Sequence, residues 1–439
     1  RYISLLGTSG YGSNTFIDEV KVTTVLNNDL LLSSIAMDDI ISGAGSIPVT
    51  GVIKNFGANP ITSLDINWQA DGGTIQTQTL TGLNIAQGQN YTFTHDQQWT
   101  AAPGAHDIAV WVANPNGIAD ADATNNQISK SLSVASNSTS RVALYEKFTS
   151  STCAPCAGFN GGFFSPFYQD NHEDFTLINY QVNWPGAGDP YYTSEIGTRV
   201  GYYNINAAPT LLVDAKEGTT YSIPGLENEL AQANASPAFF AVVAEHTIVG
   251  NQITVDIDIT PYLSGAFTLR TVVVEKLTTG NIASNGETEF KNVAMKMMPS
   301  AVGMVMNFTH DVPQSVQLVS DLTPTNVEEL TDLEVVVFIQ QDSSKKIMQS
   351  AYATNALSNG EFAAASTLKL YPNPTSGIVK ISTDENVDVT ISDLTGKVIF
   401  TATDVTNQTE IDLSSFESGI YIAKVVNGET QHTQKIILK

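Results

Sequence analysis

Between Ala36 and Ala135 the chain reverses at Gly, Asn and Pro turns before any helical apolar period can build up, and this cadence constrains the fold more than any other feature. The segments IPVTGVIKNFG, SLDINWQADG, NYTFTHDQQW and HDIAVWVANPNG each alternate apolar and polar positions over a few residues. That is the period of a strand with one buried face, because successive side chains point to opposite sides of a sheet. Short strands at regular spacing, with no helical pattern between them, predict a β-sandwich over residues 36–135. Trp68 and Trp111 are expected to fill the space between its sheets.

From Arg141 the pattern changes. RVALYEKFT, FTLINYQVNW and APTLLVDA read as buried strands, while SEIGTRVGYYN and GLENELAQANA have helix-compatible spacing. Alternating strands and helices predict an α/β unit over residues 141–236. FFAVVAEHTI, NQITVDIDITPYL, FTLRTVVVEKL, LEVVVFIQQD and KKIMQSAYA then return to strands, so a second sandwich is expected over 237–357. SVASNSTS and SNGEFAAAST read as linkers, and the strands and tight turns of residues 367–439 predict a small terminal sandwich. Several units suit a chain of 439 residues better than one core. The fold class is multidomain and mainly β, with sandwiches flanking one α/β domain.

Acidic residues outnumber basic ones by 44 to 20, for a formal charge of −24, and the lysines and arginines are scattered. Such a field repels phosphate backbones and anionic lipid, which argues against nucleic acid and direct membrane binding. No apolar run approaches the ~18 residues of a spanning helix. The chain opens on Arg1, and its first stretch lacks the basic-then-apolar layout of a signal peptide, so a trimmed N-terminus is expected.

Both cysteines, Cys153 and Cys156, lie in STCAPCAGFN. The spacing alone admits a redox couple, a structural clip or a metal half-site. At the mouth of a βα turn, helix-terminal N–H groups favour a thiolate on the first cysteine, and the second is close enough to resolve a mixed disulfide. The following AGFNGGFFSPF weakens that arrangement, since each interior glycine costs a helix ~1 kcal/mol relative to alanine. A frayed helix would weaken thiolate stabilisation. Zinc would need two further soft ligands, and His95, His106, His172, His246, His310 and His432 show no ligand spacing.

Met295, Met297, Met298, Met304 and Met306 are close in sequence. Thioethers select Cu(I), but methionine is more often a core gap-filler, which is the expectation here. In ADADATNN, the oxygens of Asp120, Asp122, Asn125 and Asn126 suit calcium, although Asp and Asn also stabilise turns without any metal. Asp256 and Asp258 alternate on one strand and are expected to face solvent. GxSxG, HExxH and Walker motifs are missing from the sequence.

Four resemblances add to this reading. GSNTFIDEVKVTTV, at 12–25, resembles the last strand of MAM-like jelly-roll modules, which makes residues 1–30 the stub of such a domain. VIKNFGANPITSLDINW and VWVANPNGIADADATNN resemble CARDB, a family of immunoglobulin-like, adhesion-type modules.

LYEKFTSSTCAPCAGFN, NINAAPTLLVDA, ETEFKNVAMKMMPSAVG and VVVFIQQDSSKKIMQSA together resemble the outer-membrane-protein-28-related family, a thioredoxin-like domain followed by a β-sandwich. That resemblance implies Cys153 as nucleophile, Cys156 as resolving thiol with which it forms a disulfide, Pro209 as a cis-proline facing the pair, and Glu146 as the buried carboxylate. Thr152 departs from thioredoxin itself, which carries tryptophan before its first cysteine. Finally, LKLYPNPTSGIVKI, VTISDLTGKVI, IDLSSFESGIYIAKVVNG and TQKIILK resemble the type A sorting domain of type IX secretion, over 367–439.

The resemblances imply export to the cell surface or medium, with the type IX machinery as one partner and a surface protein or glycan as another. Binding or adhesion is the leading expectation, with the CxxC module as scaffold or weak redox element. The alternative is an extracellular thiol–disulfide oxidoreductase, and no cofactor beyond calcium enters either reading.

Overall fold

The computed structural model describes residues 25–218, 222–355, 369–383, 386–393, 396–427 and 430–439. Apart from Val25, the strand expected over 12–25 lies outside the described residues, as does the SNGEFAAAST linker.

The first unit is a sandwich. Leu30–Ile35, Thr50–Asn55 and Asn90–Thr94 form one sheet, and Ile40–Ile41, Gln127–Val134, Gly104–Ala113, Ile61–Ala70 and Gln76–Ile85 form the other, in that order. Alternation explains the core: Ile108, Val110 and Val112 point inward from one strand, and Ile53, Ile66 and Phe93 meet them. Burying one such side chain contributes ~1.5–3 kcal/mol. Trp68 joins this core at 6% exposure, but its partner is Trp99 at 5%. Trp111 has the opposite parity to Val110 and Val112 and is only half-buried, which corrects the expectation that it fills the core.

The SVASNSTS segment is pinned rather than free. Ala135 is buried in the core of the following unit, Ser136 N donates to Tyr262 O at 2.9 Å, and Thr139 pairs with Ala238. Beyond it the chain runs through a clasp. Gln349 Nε2 donates to Ser140 O at 2.9 Å, Val142 N donates to Gln349 Oε1 at 3.0 Å, and Ser350 Oγ donates to Val142 O at 2.9 Å.

The three strands expected for the α/β unit, Thr210–Val213, Ala143–Thr149 and Phe175–Gln181, lie side by side, and a short further strand, Lys216–Glu217, pairs with the first of them. Ala143–Thr149 is parallel to Phe175–Gln181 and antiparallel to Thr210–Val213. One face of these strands is covered by the helical segment that follows Cys153 and by the helix Ile223–Ala235, through Tyr145, Phe167, Phe175, Leu211 and Leu226. The helix Ser194–Tyr203 covers the other face. Thr193 caps that helix by accepting from Ile196 N at 3.3 Å, and Asn204, in the left-handed region at φ 58°, closes it.

Residue 237 is not a break in the sheet. Asn179 pairs with Val293, so Phe175–Gln181 continues into Phe290–Met298, Gly265–Thr278, Leu333–Gln340, Ile347–Asn355, Phe240–Val249, Gln252–Pro261 and Gln314–Asp321. Leu333–Gln340 serves both layers: Val335, Val337 and Ile339 face the sandwich core, and Val336 and Phe338 face the side covered by Ser194–Tyr203. Met298 and Met306 lie in one core cluster, Met297 in a second and Met295 in a third, while Met304 packs partly buried against the first. Asp256 and Asp258 are exposed.

The terminal unit packs Lys369–Tyr371, Ile378–Ser382 and Glu410–Asp412 against Val398–Val405, Val387–Asp393, Gly419–Asn427 and Thr430–Leu438. Val379, Ile381, Val389, Ile391, Ala423 and Ile436 fill its interior.

Candidate functional site

The strand Ala143–Thr149 is buried at every position and ends in the turn Ser150–Ser151–Thr152. Cys153 follows in an extended conformation at the N-cap of the helix Ala154–Phe159, and its Sγ accepts from Cys156 N at 3.1 Å. Cys153 and Cys156 form a disulfide. The glycines do not fray the segment after it. Helix continues through a wider π turn at Asn160–Phe164 into Ser165–Asn171, so the NGGFF sequence is accommodated by a bulge.

Three loops hold the cysteine turn. The Ala208–Pro209 bond is cis, and the Ala208 carbonyl oxygen lies 3.5 Å from Cys153 Sγ. Thr152 Oγ1 donates to Pro185 O at 2.8 Å, and Asp189 Oδ2 accepts from Ser151 N at 2.8 Å. Asn285, from the loop before Phe290–Met298, donates its N–H to Ser151 O at 2.9 Å and its side-chain amide to Ser150 O at 3.2 Å. Cys153 is left 2% exposed and Cys156 0%.

Cys153, Cys156 and Pro209 are therefore brought together, and Glu146 is not. Glu146 is fully buried, but it faces the helix Ser194–Tyr203. There it accepts from Arg199 Nη2 at 2.7 Å, Tyr203 Oη at 2.6 Å and Tyr180 Oη at 3.1 Å. Burial alone would lower the Arg199 pKa, but the Glu146 carboxylate outweighs it and holds the guanidinium above its ordinary value.

Lys147, which the sequence reading passed over, occupies the face beneath the cysteine helix. Its Nζ donates to Asn160 Oδ1 at 2.7 Å and lies 4.2 Å from the Phe164 ring centre. Burial pushes its pKa down to about 7, against the upward pull of Glu287. Strand alternation within YEK was the available signal, since it forces Glu146 and Lys147 to opposite faces whatever the register.

In the first unit, the carboxylates of ADADATNN are engaged with backbone donors. Asp120 accepts from Leu30 N and Asp122 N, each at 2.9 Å, and Asp122 Oδ1 accepts from Thr124 N at 3.1 Å. Asn125 Nδ2 reaches Asp29 Oδ1 at 3.4 Å, and Asn126 is buried. Burial raises the Asp29 pKa, and the charges of Asp120 and Asp122 add to that rise. Among the described residues, no group of three or more His, Cys, Asp or Glu side chains is arranged to hold a metal ion.

In the terminal unit the YPNPTSG turn interlocks with the last strand. Asn373 Oδ1 accepts from Ile437 N at 2.8 Å, Asn373 Nδ2 donates to Lys435 O at 2.5 Å, and Thr375 N donates to Ile437 O at 2.8 Å. Residues 369–439 match the secretion system C-terminal sorting domain family. The chain is cargo of type IX secretion. This cargo is destined for the cell surface or the medium, and among its described residues no helix is long and apolar enough to cross a membrane.

Residues 27–130 of the cargo match the CARDB family. Curated proteins give no match. Among solved structures, HBP35 of Porphyromonas gingivalis is similar at 16% identity and a TM-score of 0.42, covering 68% of this chain and 99% of its own. A protein of Agrobacterium tumefaciens follows at 15% and 0.36, covering 50% and 98%. The CARDB domain of PF1109 from Pyrococcus furiosus, solved in complex with di-metal ions, is 20% identical with a TM-score of 0.22 and covers 26% and 97%. Likenesses this remote carry no activity over to the cargo.

Proposed function

We propose that this cargo is a surface binding or adhesion protein. Its CARDB domain engages a protein or glycan, and its α/β unit is a thioredoxin-like scaffold in which Cys153–Cys156 is a structural clip. Two features support the thioredoxin-like reading: the order of the four strands with helices on both faces, and the Pro209 loop set against the disulfide. The observation that carries the scaffold role is the burial of Cys153 to 2% exposure. Thiol–disulfide exchange requires in-line access to a sulfur, and this one is buried with the Ala208 carbonyl against it.

One observation favours exchange as the second reading: the Cys156 N–H at the helix start points at Cys153 Sγ, an arrangement that stabilises a thiolate. Reducing the protein and following insulin turbidity separates the two. The scaffold reading expects no turnover above a Cys153→Ser/Cys156→Ser control, and steady insulin reduction would overturn it. In parallel, cells displaying the full chain and a deletion of residues 27–130 are compared for attachment to immobilised glycans and matrix proteins. Attachment is expected to depend on residues 27–130, and equal attachment by both would remove the adhesion role.

A further inference from the structure

A parallel pair of strands covered on both faces is normally apolar throughout. The strands Ala143–Thr149 and Phe175–Gln181 obey that rule only in their first halves, where Ala143, Tyr145, Phe175 and Leu177 meet the helices. At their carboxyl ends the same face turns polar. The parallel register sets Lys147 beside Asn179 and Thr149 beside Gln181, so four polar side chains form a square. All four are buried, at 4%, 3%, 2% and 0% exposure respectively.

Among the described residues, Thr149 Oγ1, Asn179 Oδ1 and both side-chain polar atoms of Gln181 have no hydrogen-bond partner. The orientation of Asn179 is set by its Nδ2, which donates to the Lys291 carbonyl. Native proteins rarely leave one such atom unmet, and here four share one wall. That wall lines a cavity of about 250 Å³, closed above by Asn160 in the π turn and at its mouth by Glu287. Gly286, Thr288 and Glu289 at the rim are exposed, so solutes can reach it.

The wall lies at the carboxyl ends of two parallel strands, and Asn160 of the π turn lines it. Turns of this kind gather at functional sites.

We propose that this cavity binds a small zwitterion of the free α-amino acid class. The lining dictates the chemistry. Lys147 Nζ, Gln181 Nε2 and Thr149 Oγ1 can donate to a carboxylate, while Asn179 Oδ1, Gln181 Oε1 and Glu287 can accept from an ammonium. Glu287 already accepts from Asn160 Nδ2 at 2.7 Å and Asn285 Nδ2 at 2.6 Å, one to each oxygen, which leaves a lone pair free on both. One cation and one carboxylate suit a ligand that carries both charges. An anion alone would leave the acceptors unmet, and an amine alone would leave the donors unmet. At about 250 Å³ the space corresponds to roughly eight waters at ~30 Å³ each, a size that suits an amino acid and excludes a folded peptide.

Because burial holds the Lys147 pKa near 7, a carboxylate beside it draws a proton from solvent as it binds. The test is calorimetric titration of the full chain at pH 8 with L-alanine, acetate and ethylammonium, repeated in buffers of different ionisation enthalpy. L-alanine is expected to bind one to one with proton uptake, and the two half-ligands at least tenfold more weakly, as a site rejects analogues that leave its polar groups unpaired. Gln181→Leu is expected to weaken L-alanine at least tenfold with an unchanged circular dichroism spectrum. Lys147→Met is expected to remove both binding and proton uptake, and if it fails to fold the Gln181→Leu result decides. The proposal is overturned if L-alanine gives no saturable heat, if acetate or ethylammonium binds as tightly, or if Gln181→Leu binds L-alanine unchanged.

Discussion

Glu146 and Lys147 are neighbours in sequence on opposite faces of one strand, and each is a buried charge with a different solution. Glu146 has hydrogen bonds from Arg199, Tyr203 and Tyr180, and Gln340 Nε2 donates to Tyr203 Oη at 2.8 Å, which extends the network into the adjoining layer. Removing one partner of a buried pair strands the other, so Arg199→Met is expected to cost ~3–5 kcal/mol in urea unfolding of the central unit. A loss below about 1 kcal/mol would place this pair with the weak surface bridges. The sequence makes the strand legible but not which parity faces the cysteine helix, because that phase is set by tertiary packing. The same ambiguity put Trp111 in a core that Trp99 occupies.

At the scale of elements, the segment after Cys156 shows where propensity misleads. Gly161 and Gly162 argue for fraying, yet Phe159, Phe164 and Phe167 are buried against the sheet and hold the segment helical through the π turn. The glycines still weaken it. A Cβ on Gly162 would meet nothing within 4 Å, so Gly162→Ala is expected to stabilise the unit by ~0.5–1 kcal/mol in thermal or urea denaturation. Destabilisation instead would mean that the π turn needs the glycine backbone. The cysteine motif, the Pro209 loop and the strand and helix segments around them were readable because each is local. The polar square was not, since it exists only through the Lys147–Asn179 and Thr149–Gln181 register.

For the whole molecule, the units at the two ends were the most legible, because turn chemistry and strand alternation define them within short windows. The continuity of the central sheet was hidden, for it rests on a single long-range pairing of Asn179 with Val293. The sorting domain carries its own prediction. Deleting residues 369–439 is expected to retain the protein in the periplasm, as read by fractionation and immunoblot, and normal export of the truncated form would contradict the sorting role.

The clasp between Ser140–Val142 and Gln349–Ser350 ties the segment that enters the central unit to the strand by which the chain leaves it. Tension applied between the CARDB domain and the sorting domain pulls on two segments already held side by side. That clasp and the ladder of Ile347–Asn355 are expected to take the load first. The α/β layer, with its disulfide and its cavity, is expected to keep its shape until that clasp opens.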